Sequence, residues 1–464
     1  MKKTLHSQFN IVIAGLLSAF LVQLPTQDCL GETRDQLSEI VAEGLKNAYD
    51  IKSQQLKLEQ SHNLLRNSYY NLLPTVSLSG GRTITTTDTQ PNGTVQTDTT
   101  NQSTAKATAS WTLFDNYQSI RNIQTSEKTL DVQKKTSAKL LQQYVLTLLD
   151  LYLQYQLLLS QKLIQEGLLE QNKWTEAESM ALVKAGARTR LDSMDTEIQV
   201  VNAERDLLEL NNNISAAEKN IFVILNSDRY KQLPIIDLLT LKPYYMKDFE
   251  RRLPSIRSQA KRELEFVNPD LQISKGQLEV SLLNLKQTKL GYWPKTTVQI
   301  SHDMDFSDFV QTNAPGVDQV PLHTTTFSVQ FSWQLWDWWI TPRTIDNAQK
   351  DFEISVNQYK QSLLQSSSDI ENFLAQHDVL EKSIYSSQLV LDKAKAQVDY
   401  SREMFEMGRI TLLEMQQAIG RWRDARIALA TRLEAKYILA AKILYTMGYD
   451  LQPEGSEVSW LKGG

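Results

Sequence analysis

Two stretches of this chain carry one pattern 222 residues apart, and no other feature restricts its possible folds as much. In residues 323–337, Phe327, Val329, Phe331, Trp333 and Leu335 fall on one face of a strand, and Ser328, Gln330, Ser332 and Gln334 fall on the other. Upstream, Ala105, Ala107, Ala109, Trp111 and Leu113 alternate with Lys106, Thr108, Ser110 and Thr112. Each copy ends Trp-x-Leu-aromatic-Asp, at Trp111–Asp115 and Trp333–Asp337. The spacing downstream repeats as well: Trp to Gly is 75 residues in both copies (Gly186, Gly408), and Gly to the next stop is 40 in both (Asn226, Gly448). Duplication of this kind makes the folding unit a supersecondary module used twice.

Periodicity and breakers divide the chain accordingly. The first repeat covers 32–226: a helix over 34–73, strands over 74–84 and 104–114, a long helix over 117–183 and a returning helix over 189–226. Residues 85–104, rich in Thr, Asp, Asn and Gln, read as a polar loop. A connector over 227–248 leads to the second repeat, 249–448, with a helix over 249–293, strands over 295–306 and 323–335, a long helix over 342–405 and a returning helix over 411–447; residues 449–464 form a tail. Leu141, Val145, Leu148, Tyr152, Tyr155 and Leu159 step 4-3-4-3-4, a coiled-coil spacing, and at about 1.5 Å per residue the first long helix extends roughly 100 Å. Pro74 and Pro294 each stand 24 residues after an Asp (Asp50, Asp270) and stop their helices before a strand.

Residues 1–31 read as a signal peptide, with Lys2 and Lys3 ahead of an apolar stretch from Ile11 to Leu24. Cys29-Leu30-Gly31 sets up cleavage before Glu32, and Thr26-Gln27-Asp28 does not resemble a lipoprotein box ahead of Cys29. The remaining 433 residues hold no cysteine, which excludes disulfides, thiolate metal sites and a Cys nucleophile. Their net charge of −6 (47 basic, 53 acidic) gives no reason to expect nucleic acid. After the signal no apolar run approaches the roughly 20 residues of a membrane helix, so an exported chain of this kind spans a membrane only with strands.

Four strands do not close a barrel, and bacterial barrels have at least about eight. The hairpins therefore have to be pooled with copies of the same chain. Trp111, Trp293, Trp333, Trp336, Trp338 and Trp339 gather at the helix-facing ends of the strands, with Tyr69, Tyr70 and Tyr292, as a membrane-interface belt. The two helix-to-strand junctions (Leu72-Leu73-Pro74 and Tyr292-Trp293-Pro294), the Trp-x-Leu-aromatic-Asp ends and the Gly-x-x-Thr-x-Leu-acid turns (from Gly186 and Gly408) together resemble the TolC-like outer membrane efflux proteins over essentially the whole mature chain.

That resemblance implies a mainly α protein with a membrane β-barrel. It implies a homotrimer, with a 12-strand barrel set on a 12-helix α-barrel. The expected partners are a periplasmic adaptor, an inner-membrane pump and outer membrane lipid, in efflux or type I secretion from a Gram-negative-type cell. Adaptor docking falls on the tip residues Gly186, Thr189, Leu191, Gly408, Thr411 and Leu413. A pore constriction falls on Asp192, Asp195, Glu414 and Gln417, where crowding of like charge is expected to raise carboxylate pKa values. Arg188, Arg190 and Arg409 are placed to latch the gate.

No enzyme motif appears, and no cofactor or metal is expected: His62, His302, His323 and His377 are scattered in sequence. His377 falls on the helical seam as a tolerated polar residue. A trimeric coiled-coil surface adhesin or structural stalk would also use long heptads, but has no need of two matched helical hairpins. A periplasmic coiled-coil adaptor would lack the apolar strand face.

Overall fold

The computed structural model describes residues 29–89, 96–186, 189–226, 238–305, 322–407 and 409–453. Along the chain these form helices α1 (Cys29–Asn47) and α2 (Tyr49–Tyr70), strands β1 (Thr75–Thr89) and β2 (Gln96–Phe114), and helices α3 (Gln118–Lys184) and α4 (Arg190–Leu225). There follow α5 (Met246–Val267), α6 (Pro269–Lys289), a single 3-10 turn (Leu290–Tyr292), β3 (Lys295–Asp305), β4 (Leu322–Ser332), α7 (Ile340–Glu406) and α8 (Leu412–Thr446). The chain falls into two compact units that cut across the repeats. Among the described residues, one holds those of 29–52, 140–264 and 367–453; the other holds those of 53–139 and 265–366.

In the first unit the expected seam is the core. Leu141, Val145, Leu148, Tyr152, Tyr155 and Leu159 of α3 are all buried, with Leu37, Ile40 and Val41 of α1 and Ile221 and Leu225 of α4. Gly44 allows close approach of α1, because a Cβ there would run into the Tyr144 hydroxyl and Leu225. The connector is fixed by tyrosines. The Tyr245 hydroxyl donates to the Tyr437 carbonyl at 3.0 Å, the Tyr437 hydroxyl donates to the Leu241 carbonyl at 2.6 Å, and the Tyr244 hydroxyl donates to the Leu451 carbonyl.

In the second unit the strands form one antiparallel sheet in the order β1-β2-β3-β4. The β2–β3 pairing joins the two repeats, in register from Thr104↔Asp305 to Thr112↔Thr297 with a bulge before Phe114↔Thr296. Gly276 of α6 lies against Val132 of α3, so closely that an added Cβ would overlap the valine side chain.

Several boundaries differ from those read in the sequence. The expected loop 85–104 is mostly strand, since β1 runs to Thr89 and β2 starts at Gln96 in unbroken register. The segment is polar but rich in β-branched threonine, which suits an extended ribbon. The helix expected over 34–73 is interrupted at Ala48, although Ala48 N–H bonds the Gly44 carbonyl and Lys52 N–H bonds the Ala48 carbonyl across the break. The helix expected over 249–293 begins at Met246 and divides at Asn268, whose extended backbone and side chain cap α6 through Leu271 N–H while Pro269 opens the helix. β4 ends at Ser332, so Trp333 and Leu335 lie beyond the strand and not on its face. α1 starts at Cys29, inside the expected signal segment. Residues 1–28, 306–321 and 454–464, with Arg188 and Gly408, lie outside the described residues.

Candidate channel-forming site

The register sorts the sheet into two unlike faces. One face carries the rows Val76–Ala109–Ile300–Phe327, Leu78–Ala107 and Trp111–Val298–Val329. The other carries Ser77–Thr108–Ser301–Thr326, Thr75–Ser110–Gln299–Ser328 and Ser79–Lys106–Asp303–Thr324. Lys106 pairs with Asp303 across the polar face at 3.1 Å. The apolar face is bare: Val76 and Leu78 keep about four fifths of their surface exposed, and Phe327, Val329 and Phe331 about three fifths or more. β1 and β4 each have a partner on one side only.

The sheet joins the helices through one turn built twice, which the sequence reading missed. Asn116 and Tyr117 have φ of 60° and 65°, and Trp338 and Trp339, 222 residues on, have φ of 52° and 66°. Two consecutive non-glycine residues in the left-handed region cost of order 1–3 kcal/mol each and persist only where neighbours impose them. Here the neighbours repeat too. Asp115 accepts from Ser119 N–H at 2.9 Å, and Asp337 accepts from Thr341 N–H at 2.7 Å, so each carboxylate caps a long helix at its positive end. These bonds hold the Asp337 carboxyl below the usual carboxylate range, the Thr341 hydroxyl first and its N–H next.

A tryptophan closes each junction. The Trp111 indole N–H donates to the Leu72 carbonyl at 2.9 Å, and the Trp333 indole N–H donates to the Tyr292 carbonyl at 3.1 Å, each acceptor two residues before the helix-stopping proline. The signal was present in the sequence as Asp-x-x-x-Ser at 115–119 and Asp-x-x-x-Thr at 337–341. Around these turns Trp293, Trp336, Trp338 and Trp339 are exposed. Phe114–Tyr117 and Trp336–Trp339 make equivalent edge-to-face pairs at 6.2 and 6.4 Å.

At the helical tip, Gly186 has φ +73° and open space around it, so its conformation rather than crowding calls for glycine. Thr189 directly precedes α4, and Leu191 and Leu413 are exposed on the first turns of α4 and α8. Thr411 caps α8 in a complete capping box: Glu414 N–H donates to the Thr411 hydroxyl, and the Glu414 carboxylate accepts from Thr411 N–H at 2.7 Å. The box also acts on the Glu414 carboxyl within the chain. The Thr411 N–H, then its hydroxyl, stabilises the ionised form and lowers its pKa.

Asp195 and Gln417 are exposed, and the Asp192 side chain lies outside the described set. Gln417 lines a groove of about 330 Å³ with Gln165, Gln171, Gln199 and Gln416. Arg190 and Arg409 are exposed and hold no acid among the described residues. His377 is fully buried beside Phe249, at 3.5 Å from the Arg257 guanidinium. Burial first pushes its pKa down; Lys436 and Arg257 add to this, against Glu381 and Asp378.

A profile described as "Outer membrane efflux protein" matches residues 40–227 and 263–447, one match in each repeat. The chain belongs to this family, whose members are transport conduits and not enzymes. No curated protein sequence matches it. Among solved structures, CusC is 16% identical with TM-score 0.71, over 90% of this chain and 92% of that one. VceC from Vibrio cholerae is 13% identical with TM-score 0.71, over 89% and 96%. The Campylobacter jejuni CmeC outer membrane channel is 14% identical with TM-score 0.71, over 91% and 87%. At these identities the likeness is one of fold.

Proposed function

We propose that three copies of this chain close their sheets into one 12-stranded outer membrane barrel above a 12-helix periplasmic tunnel, which exports substrates delivered by an inner-membrane pump and a periplasmic adaptor. The observation that carries this is the open four-stranded sheet, apolar on one face and polar on the other, with two half-paired edges. Such a sheet is not viable alone in lipid, where every edge N–H and C=O has to be satisfied. Closure on identical copies turns the apolar rows to lipid and the polar rows to a water-filled lumen. Ile198, Val201, Leu208, Val379 and Tyr385 leave apolar surface on α4 and α7 that neighbouring copies would cover. Similarity to CusC, whose structures are described in terms of transmembrane channel formation, supports the reading.

Within this scheme the six tryptophans set the depth of the barrel in the periplasmic leaflet. The turns at Gly186–Leu191 and Gly408–Leu413 dock the adaptor. Asp192, Asp195, Glu414 and Gln417 line the constriction, and Arg188, Arg190 and Arg409 latch it. The test is fractionation and bilayer recording. A heat-modifiable trimer in the outer membrane fraction that conducts in planar bilayers is expected, and a soluble monomer in the periplasm would overturn the proposal.

A further inference from the structure

Two of the four histidines outside the signal segment are brought together by the sheet. His302 of β3 and His323 of β4 stack with ring centroids 5.8 Å apart and planes 15° from parallel. The register sets His323 opposite Met304 and His302 opposite Thr325. Strand alternation therefore puts His302, Met304 and His323 on one face, the one that carries Leu78, Ala107, Ile300 and Phe327. No cluster of three His, Cys, Asp or Glu side chains exists among the described residues, and this group emerges only when the thioether of Met304 is counted.

We propose that His302, Met304 and His323 form a binding site for a soft monovalent metal ion, of the cuprous or silver type. Three features of the site support this. His302 Nδ1 lies 2.8 Å from the Thr325 hydroxyl. With the proton on Nδ1 that contact leaves Nε2 free to ligate, which is the usual arrangement around a metal-bound imidazole. The acids are turned away, since Asp303 and Asp305 belong to the polar face, where Lys106 and Gln102 hold them at 3.1 and 2.9 Å. The donor set is therefore two imidazole nitrogens and one thioether sulfur, with no anionic ligand. Soft thioether and imidazole donors select the soft coinage ions, whereas calcium and magnesium require oxygen. An uncharged donor set on an apolar surface also favours a single positive charge, because the desolvation penalty of an ion rises steeply with its charge. An ion held here would pin β3 to β4 where the hairpin leaves its apolar rows.

The competing account is that the two rings are interfacial aromatics with no ligand, and the experiment separates the two. The purified full-length protein in detergent is incubated with Ag⁺ in chloride-free buffer, desalted, and its metal counted by mass spectrometry. A parallel cuprous sample is examined anaerobically by X-ray absorption. One retained ion per chain is expected, with nitrogen and a single sulfur in the first coordination shell. His302→Phe and His323→Phe should each abolish retention, Met304→Leu should remove the sulfur signal, and His62→Gln should change nothing. Thr325→Val should weaken binding roughly 10- to 100-fold, the usual cost of losing a group that orients a ligand. Circular dichroism and gel filtration verify that each variant is folded. No retained ion in the parent, or equal retention in the His302→Phe/His323→Phe double variant, overturns the site. Neither result touches the channel proposal, which stands or falls on assembly and conductance.

Discussion

The tyrosines that hold the connector yield a ranked prediction. Tyr245 and Tyr437 each donate a buried hydroxyl to a backbone carbonyl, at 3.0 and 2.6 Å, so on contact lists they are equivalent. Burial keeps both phenols protonated as donors, with Tyr437 pushed up to about 12 and Tyr245 well above its ordinary value. Their acceptors are not equivalent. The Tyr437 carbonyl lies inside α8 and already receives the helical bond from four residues on, so Tyr245→Phe removes only a second bond, a net loss of about 1 kcal/mol. Leu241 is buried in the irregular stretch 241–243, and its carbonyl has no other partner among the described residues. Tyr437→Phe leaves it unsatisfied and adds its desolvation penalty, for a total of about 2 kcal/mol. Hydrogen exchange of a peptide covering 238–245 reads local opening directly. On that scale Tyr245→Phe should speed exchange about 5-fold and Tyr437→Phe roughly 30-fold. Equal acceleration by the two variants, or the reverse order, would show that the orphaned carbonyl does not control the connector.

Gly276→Val should destabilise the sheet-bearing unit by about 1–3 kcal/mol through overlap with Val132, and Val132→Ala in the same chain should recover part of it; thermal melts of the single and double variants decide. The Asp337 and Glu414 caps both have folded pKa values below their unfolded ones. Their stabilisation is therefore complete above the unfolded carboxylate values near 4 and is lost as pH falls through the lowered folded values. Acid melts of Asp337→Asn and Glu414→Gln should accordingly be flatter in that window than melts of the parent, and parallel curves would count against the caps. Alanine at Asp192, Asp195 and Glu414 together should relieve block by multivalent cations in planar bilayers; a block as strong as in the parent would remove these acids from the constriction.

What the sequence made legible was whatever depends on local periodicity and on duplication. The heptad positions from Leu141 to Leu159 are core because a 3.5-residue repeat leaves a long helix one face to bury. The strand faces follow from alternation alone. Three things escaped, each for a physical reason. The threonine-rich ends of β1 and β2 are polar on both sides, so hydropathy could not tell ribbon from loop, and only cross-strand pairing does. The Asn268 break was hidden because helical periodicity continues on both sides of a single capping residue. His302 and His323 are 21 residues apart in sequence and meet only through the β3–β4 register.

The doubled left-handed turn shows why duplication matters beyond assigning the fold. A strand leaving a sheet and a helix starting under it need a sharp change of direction, and here the backbone makes it with residues that resist the conformation. Trp338 and Trp339 gain nothing sterically from positive φ, and glycine would serve the turn alone better. Asp337 and the Trp333 indole hold the geometry from either side, as Asp115 and the Trp111 indole do in the other repeat. Three of the four residues forced into the bend, Tyr117, Trp338 and Trp339, are aromatics of the kind a membrane interface selects. In the proposed assembly the strain is therefore the consequence of placing large rings at the rim where sheet turns into helix. It recurs six times around a trimer because the turn occurs twice in each chain.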